Sequence, residues 1–184
     1  FVRPDIAVVT AIGEIPVHVE FFAGPKAVAK EKAILVEAVP PDDFVILNYD
    51  DDTVFDMRLK TQAHVLGFGF GEGADILATR LTYQNLGEGV SFKINYKNKT
   101  VPARLPKILA RQQVYAALAA TAVGIVLGMN LADISLALKD FEALIGRMKL
   151  LRGIKNTWLI DDSYNAAPLS VHAALDVLSE LKAK

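Results

Sequence analysis

Short runs of apolar, β-prone residues alternate with a helical pattern in the first third of the chain. Residues 6–10 and 44–47 contain no alternation of polar and apolar side chains, which is typical of strands buried on both faces. A helical pattern at residues 25–39 separates them, and a third run follows at residues 63–68. Connections of this length predict right-handed crossovers between parallel strands. The chain is therefore predicted to fold as an α/β protein, around a mostly parallel sheet flanked by helices.

The pattern changes in the middle of the chain. Residues 74–83 and 90–96 alternate between polar and apolar side chains, and residues 100–105 follow a short turn. This alternation predicts a small antiparallel meander of three strands attached to the parallel sheet. Two helices are predicted after it, at residues 111–127 and 130–141.

A domain boundary is predicted near Gly146. Residues 144–153 are rich in glycine and basic side chains, which indicates a linker between residues 1–145 and a second domain at residues 146–184. The second domain would begin with one βα unit. Such a unit has nothing further to pack on, so we expect its strand and helix to expose apolar side chains.

Polar side chains gather where two of the predicted strands end. Asn48 follows the second run, and residues 161–165 (Asp-Asp-Ser-Tyr-Asn) follow an apolar run at residues 157–160. A helical pattern then covers residues 170–181. In open α/β sheets, ligands bind at the carboxyl ends of the strands, so these positions are candidates for a ligand site. The alternative is an Asx-type turn followed by a helix N-cap.

The composition argues against several classes of protein. A hydrophobic share of 52% and a charged share of 22% are typical of a folded domain, and a net charge of −1 argues against a nucleic-acid partner. The apolar run at residues 114–129 is short for a membrane span, so we expect a buried core helix and no membrane association. We see no signal-peptide pattern. The lack of cysteine excludes disulfides and thiolate metal sites, and it fits the cytoplasm.

Six segments, taken in order, resemble segments of a known family. They are VTAIG (9–13), AKEKA (29–33), ILNYDD (46–51), QVYAALAA (113–120), GRM (146–148) and IDDSYNA (160–166). Together they resemble the Mur ligase family, and their joint order is more specific than any one of them. The resemblance implies the later half of the family's central ATP-binding domain, followed by the start of its Rossmann-like C-terminal domain.

Mur ligases join a carboxylate to an amine in peptidoglycan precursor synthesis, and they convert ATP to ADP through an acyl-phosphate. The resemblance is greatest to a member that adds D-alanyl-D-alanine to a UDP-N-acetylmuramoyl-tripeptide. It implies ATP and Mg²⁺ as cofactors, small molecules as the other partners, and a monomeric full-length protein. Cations are needed around the transferring phosphoryl group, because negative charge is concentrated there.

The resemblance also implies a metal site near the first strand. His18 would help to hold the second Mg²⁺, since a neutral imidazole can ligate a metal; otherwise it is a hydrogen-bonded loop histidine. Lys32 lies fourteen positions after His18, which is the family spacing for a lysine that is carbamylated and serves as a metal-directed carboxylate. Lys30 is the rival at this site. For both lysines the alternative is a solvated helix surface.

Other residues would contact the nucleotide or the incoming peptide. Arg147 offers a fixed positive charge for phosphate oxygens when the domains close, and otherwise is a solvated linker arginine. Asp161 or Asp162 would accept hydrogen bonds from the ribose hydroxyls. Tyr164 and Asn165 would help to position the dipeptide or the nucleotide.

The end of the second strand has two predicted roles. Asn48 would recognise the edge of adenine, because an amide offers both a donor and an acceptor. Asp50 and Asp51 are instead predicted to cap the helix that follows them.

The sequence also departs from the family. No segment has the form G-x-x-G-K-[ST], the glycine-rich loop that cradles phosphates, so we expect that the chain cannot catalyse ligation alone. Ala11 and Gln112 stand where the family commonly has asparagine and histidine. These departures leave open a non-catalytic nucleotide-binding or scaffold relative. A third possibility is an α/β domain whose strand-end carboxylates are only caps, in which His18, Lys32 and Asn48 would not converge.

Overall fold

A computed structural model describes residues 3–13, 24–84, 88–166 and 168–180 of the chain. A six-stranded sheet has its strands in sequence order. The strands are β1 (Ile6–Val9), β2 (Phe44–Asn48), β3 (His64–Gly69), β4 (Ile76–Tyr83), β5 (Val90–Tyr96) and β6 (Lys99–Leu105).

The first four strands run parallel, and the last three form an antiparallel meander. The predicted parallel sheet with an attached meander is therefore confirmed. Strand β4 pairs with β3 only through Ile76 beside Phe68 and Leu77 beside Gly69. Since β3 ends at Gly69, most of the meander extends past the carboxyl ends of the parallel strands.

Five α-helices lie in the described part of the chain: α1 (Pro25–Glu37), α2 (Asp52–Phe55), α3 (Arg111–Val126), α4 (Leu131–Ala137) and α5 (Pro168–Glu180). The helix predicted at residues 130–141 is shorter than expected, because α4 tightens into a 3₁₀ turn at Leu138–Asp140. The Asn130 side chain accepts a hydrogen bond from the Asp133 amide and so caps α4. Helix α2 likewise continues as a 3₁₀ helix, Asp56–Lys60.

Helices α1 and α3 cover opposite faces of the parallel sheet. On one face, Ile46 and Phe68 pack in a cluster with Leu118 of α3. On the other face, Val45 packs in a separate cluster with Val36 of α1. Successive residues of a strand point to opposite faces, so the apolar runs at β2 and β3 serve both clusters.

The predicted core helix is confirmed in α3. Val114 and Leu118 are completely buried, because the helix lies on the sheet. Within the described ranges, the helices are too short or too polar to cross a bilayer.

A small second sheet follows the meander and its helices. Strand β7 (Lys149–Arg152) pairs antiparallel with β8 (Trp158–Asp161). The interpretation of residues 144–153 as a linker is thus wrong in its later part, because the apolar pair Leu150–Leu151 allows a strand there. The predicted domain boundary near Gly146 stays a prediction.

The expected exposure of apolar side chains on β8 and α5 is confirmed. Leu159 is 57% exposed, and Leu175 and Leu178 are exposed by more than half. The inner side of α5 is covered, since Val177 packs in a cluster with Met148. This unit therefore keeps one apolar side in contact with the chain and one in solvent.

Candidate functional site

A cleft of about 410 Å³ lies between the start of α3, residues 141–148, the end of β8 and the start of α5. Gln112 and Gln113 come from α3, Arg147 comes from the segment before β7, and Asp162 directly follows β8. The polar lining of this concave space thus comprises two amides, a guanidinium, the serine Ser170 and two carboxylates, and one of these carboxylates, Glu142, is paired with Lys107. This volume is within the range of about 300–1,000 Å³ that is common for small-molecule sites.

Two carboxylates at the end of β8, the last strand residue Asp161 and the next residue Asp162, hold the segment at residues 146–148. The Gly146 amide donates to Asp161 Oδ2 at 3.0 Å, and the Met148 amide donates to Asp162 Oδ1 at 3.1 Å. The hydroxyl of Ser163 also donates to Asp161. That hydrogen bond, together with the one from the Gly146 amide, lowers the pKa of Asp161 below its usual value. Both carboxylates therefore have a structural role that the sequence did not indicate.

Gln113 ties the start of α3 to the same segment. Its Oε1 accepts from the amides of Leu109 and Ala110 at 3.2 Å each, which satisfies donors at the helix N-terminus. Its Nε2 donates to the carbonyl oxygen of Arg147 at 3.2 Å. The backbone of Arg147 is thus fixed from α3, and its neighbours are fixed from β8.

The side chain of Arg147 stacks on an aromatic ring. Its guanidinium carbon lies 3.8 Å from the ring centroid of Tyr164, and the Tyr164 amide donates to Gly146 O at 3.1 Å. Tyr164 itself is 69% exposed. Stacking uses the face of the guanidinium and leaves its N–H donors in the plane available to an anion.

Asn48 lies at the carboxyl end of β2 and is only 7% exposed. Its Nδ2 donates to the carbonyl oxygen of Thr10 at 2.9 Å, and its Oδ1 accepts from the Asp50 amide at 3.0 Å. The side chain therefore joins the ends of β1 and β2. One of its N–H donors and one acceptor lone pair make no further hydrogen bond within the described residues.

Asp50 and Asp51 have different roles. Asp51 caps α2 by accepting from the Val54 amide at 3.0 Å, and it also accepts from the Ile12 amide at 2.8 Å. The prediction that Asp50 caps the same helix is wrong. Asp50 instead accepts from Phe70 N at 2.7 Å and Gly71 N at 2.8 Å in the β3–β4 loop. The two amide donors of the loop both hydrogen-bond to the Asp50 carboxylate, so Asp50 accepts from the loop rather than from the N-terminus of α2.

Glycines allow the β3–β4 loop to approach Asp50. A Cβ atom at Gly69 would lie 2.7 Å from the Asp50 carboxylate, and one at Gly71 would lie 2.8 Å from it. Both distances are too short for any residue with a side chain, unless the loop moves. The alternate glycines at residues 67, 69, 71 and 73 are the sequence signal that could have indicated this close approach.

Asp50 also connects the strand ends to α3. The phenol of Tyr115 donates to Asp50 Oδ2 at 2.7 Å. Burial and the hydrogen bond to Asp50 raise the pKa of Tyr115 to about 12, although nearby Arg111 opposes the shift. Arg111 in turn stacks on the ring of Phe70, 4.0 Å from its centroid. A continuous chain of hydrogen bonds thus runs from Thr10 through Asn48 and Asp50 to α3.

We expect Tyr115→Phe to lower the free energy of unfolding at pH 7 by about 1 kcal/mol, since it removes a half-exposed hydrogen bond to a charged group. The folded-state pKa of about 12 exceeds the unfolded value of about 10. The contribution of the phenol is therefore complete below pH 10 and is lost as the pH rises towards 12. Urea unfolding of wild type and variant between pH 7 and 11.5 measures this difference. Tyr96→Phe is the control, and a difference that stays constant to pH 11.5 would refute the assignment.

The sequence-predicted site residues separate into groups. Arg147 and Asp162 line the cleft, whereas Asn48 is linked to α3 without lining it. Lys30 and Lys32 are exposed on α1, the helix on the opposite face of the sheet from α3. Their expected convergence with His18 cannot be described, because His18 lies outside the described residues.

Two further predicted residues follow β8. Tyr164 supports Arg147, as described above. Asn165 is exposed, and its Oδ1 accepts from the Ala166 amide at 2.9 Å. Among the residues that the structure describes, no group of three or more His, Cys, Asp or Glu side chains is arranged to hold a metal ion.

The comparisons with known proteins define the class. Residues 1–124 match the model of the Mur ligase middle domain. This match covers more than half of the chain, so the chain belongs to the Mur ligase family. The family resemblance inferred from the six segments is confirmed, and the mixed α/β fold agrees with it.

Individual relatives have two related activities. The chain is 27% identical to UDP-N-acetylmuramoyl-tripeptide–D-alanyl-D-alanine ligase of Escherichia coli (strain K12), over 97% of this chain and 39% of the relative. It is 30% identical to the ligase of the same name from Mycobacterium tuberculosis (strain H37Rv), over 96% of this chain and 34% of the relative. It is 28% identical to UDP-N-acetylmuramate–L-alanine ligase of Aquifex aeolicus, over 97% of this chain and 38% of the relative. The chain thus spans less than half the length of these relatives.

Solved structures show the same fold. A crystal structure of MurF from Acinetobacter baumannii superposes with a TM-score of 0.85 at 28% identity, covering 98% of this chain and 38% of that one. The MurF ligase of Thermotoga maritima, solved in complex with ADP, superposes with a TM-score of 0.81. The superposition covers 96% of this chain and 39% of that one. At 22% identity, the second likeness shows the fold alone.

Proposed function

We propose that the chain is the later half of the ATP-binding domain, and the start of the following domain, of a ligase that adds D-alanyl-D-alanine to a UDP-N-acetylmuramoyl-tripeptide. The relatives from Escherichia coli and Mycobacterium tuberculosis support this substrate, because their names carry it. One observation carries the nucleotide-binding part of the proposal. Arg147, Gln112 and Asp162 meet in one cleft although 35 positions separate the first two.

The cleft suits the chemistry of a nucleoside phosphate. Arg147 would contact phosphate oxygens, since a stacked guanidinium presents its donors in a fixed plane. Asp162 is the better candidate for the ribose hydroxyls, because Asp161 already accepts from Gly146 and twice from Ser163. The amide of Gln112 offers a donor and an acceptor to a base edge.

Three further roles in this proposal rest on the family resemblance. Asn48 would contact adenine through its remaining donor and acceptor. Tyr164 and Asn165 would help to position the incoming dipeptide or the nucleotide. The side chains of Tyr164 and Asn165 are exposed, and both residues follow β8, close in sequence to the cleft residue Asp162.

Mg²⁺ is the remaining cofactor of the proposal, and the described residues by themselves contain no cluster of three metal-binding side chains. The proposed ligands are His18 and a carbamylated Lys32. Lys32 is exposed on α1, so carbon dioxide and a metal ion can both reach its amine. Once bound, Mg²⁺ would supply charge stabilisation to the phosphates.

We expect Arg147→Met to weaken ADP binding about 10–100-fold, because charge-assisted hydrogen bonds contribute about 1.5–3 kcal/mol. Calorimetric titration of ADP with Mg²⁺ into the chain, or into the full-length gene product if the chain binds too weakly, measures the dissociation constant. Arg152→Met is a matched control. Arg152 is also exposed and stacks on an aromatic ring, 3.7 Å from the centroid of Trp158, but it does not line the cleft.

Equal affinities for wild type and Arg147→Met would remove Arg147 from the nucleotide site. A loss of the same size in Arg152→Met would point to the stability of the β7–β8 unit instead. A selective loss in Arg147→Met, with unchanged thermal unfolding, supports the proposed cleft.

A further inference from the structure

The outer face of the meander forms a second concave surface, which we name the basic groove. It has a volume of about 600 Å³ and lies between β4, β5, β6 and α4. Its charged lining consists of Arg80, Lys93, Arg104 and Lys139, and apolar contacts come from Pro102 and Leu136. Among the residues that the structure describes, no acidic side chain lines the groove, and none of the groove residues lines the cleft.

A β-bulge turns Arg80 towards this groove. Ile76 and Ala78 are buried, so a regular strand would direct residue 80 into the core as well. The pairing of β4 with β5 shifts between Thr79 and Thr82, and Arg80 adopts a positive φ of 55°. Leu81 packs against the core, whereas Arg80 is exposed in the groove.

This local conformation is unfavourable for an arginine. A residue with a side chain adopts a left-handed backbone only at an energetic cost, and such positions cluster at binding sites. Bulges are known to redirect a side chain in the same way. The bulge therefore brings the Arg80 side chain to the groove at a conformational cost.

The positive charges of the groove are not neutralised by ion pairs with the described part of the chain. Of the described carboxylates, none lies within ion-pair distance of any of the four cations. The Arg104 guanidinium donates a hydrogen bond to the carbonyl oxygen of Glu88 at 3.3 Å, which is a neutral acceptor. The whole chain has 20 basic and 21 acidic residues, so a surface without acidic residues is a local departure from its composition.

Protection of a sheet edge does not by itself account for all four charges. Basic side chains often prevent aggregation at an edge strand, which here is β6. Lys93 lies instead on β5, which has a neighbouring strand on both sides, whereas Arg80 lies on the part of β4 that extends past β3. The edge is also partly covered by α4, since the Ser135 hydroxyl donates to Pro102 O at 2.5 Å.

We propose that the basic groove binds a small organic anion, with a phosphate or carboxylate group and an apolar body. Guanidinium groups match the paired oxygens of both anions, and the groove volume lies in the range of small-molecule sites. Pro102, Leu136 and the aliphatic parts of the basic side chains would contact the apolar body. The basic groove shares no lining residue with the nucleotide cleft, so the proposal for one site can be refuted while the proposal for the other stands.

Phenyl phosphate is a suitable probe, because it combines one phosphate with one ring. We expect its addition to the ¹⁵N-labelled chain to shift backbone amide signals of residues 79–82, 91–93, 101–104 and 132–139, and we expect the shifts to saturate. Phenol, the neutral control, should cause no saturable shift. Benzoate in place of phenyl phosphate shows whether a carboxylate is accepted equally well. Shifts that spread over the surface without saturation would overturn the proposal.

Charge removal gives the second test. Arg80→Gln combined with Lys93→Gln should weaken phenyl phosphate binding at least tenfold, while the exposed Lys155→Gln should leave it unchanged. Lys139 lies outside the sheet, so Lys139→Gln serves as a further variant if the double variant does not fold. We expect Lys139→Gln to weaken phenyl phosphate binding at least threefold. Unchanged affinity in the folded groove variants contradicts the site.

Discussion

Lys32→Arg is expected to lower amide formation by the full-length gene product about 10²–10³-fold, the usual effect of removing one group that stabilises charge in a transition state. The assay contains ATP, Mg²⁺, a UDP-N-acetylmuramoyl-tripeptide and D-alanyl-D-alanine, and it measures ADP and the amide product. Arginine keeps the positive charge and the helix propensity of lysine, but it does not form a stable carbamate. The variant thus tests the proposed carbamylation rather than the stability of α1.

Lys30→Arg is the matched control for this prediction. Lys30 and Lys32 are both exposed on α1, so a general effect of the helix surface would appear in both variants. The ammonium group of Lys32 would first lose a proton, and the neutral amine would then add to carbon dioxide and release a second proton. The resulting carbamate carries a negative charge and offers oxygen ligands suited to Mg²⁺. ¹³C NMR with labelled bicarbonate should show a carbamate signal that Lys32→Arg removes and Lys30→Arg retains.

Each pattern of results has a distinct meaning. Full activity in Lys32→Arg would disprove the metal-directed role. Loss of activity only in Lys30→Arg would assign that role to the rival lysine. ATP binding without any amide formation by the wild-type gene product would favour the non-catalytic relative, which the departures at Ala11 and Gln112 also allow. Amide formation by the 184-residue chain alone would contradict our expectation that the phosphate loop is required.

Asn48→Asp is expected to lower the free energy of unfolding by about 3 kcal/mol at pH 7, because it places an uncompensated charge in a buried position. The side chain is 7% exposed, and its Nδ2 lies 2.9 Å from the carbonyl oxygen of Thr10. A carboxylate oxygen there would face another acceptor. The other carboxylate oxygen could still accept from the Asp50 amide, so the change removes one hydrogen bond and adds a charge.

Chemical denaturation at several pH values measures this effect. The loss should shrink at acidic pH, where the protonated carboxyl group can donate to Thr10 O again. Asn98→Asp is the control, since Asn98 is exposed in the β5–β6 turn and should change stability by less than about 0.5 kcal/mol. A pH-independent loss, or a loss as small as that of the control, would show that the Asn48–Thr10 bond does not hold β1 to β2.

The placement of Asn48 also affects the nucleotide proposal. Because it links Thr10, Asp50 and, through Tyr115, helix α3, a substitution at Asn48 changes structure and binding together. Arg147 is the cleaner probe of binding, since its guanidinium is exposed and its backbone is held independently by Gln113.

The sequence by itself determined the sheet and its class. Uninterrupted apolar runs such as residues 44–47 must be buried on both faces, and connections of helical length between them require parallel strands. The alternation at residues 90–96 likewise required an antiparallel strand. These are local patterns, so they could be predicted without knowing which residues lie close in space.

The tertiary structure decided how individual polar residues are used. Asp50 and Asp51 are adjacent and chemically identical, yet their partners differ. Asp51 caps α2, whereas Asp50 accepts hydrogen bonds from the β3–β4 loop and from Tyr115, which lies 65 positions after it. Arg147 and Tyr164 are stacked across a β-hairpin that the sequence presented as a linker and one strand. A carboxylate or guanidinium group can satisfy many partners. The partner is set by packing of segments that are distant in sequence, because that packing decides which donors and rings lie within a few ångströms.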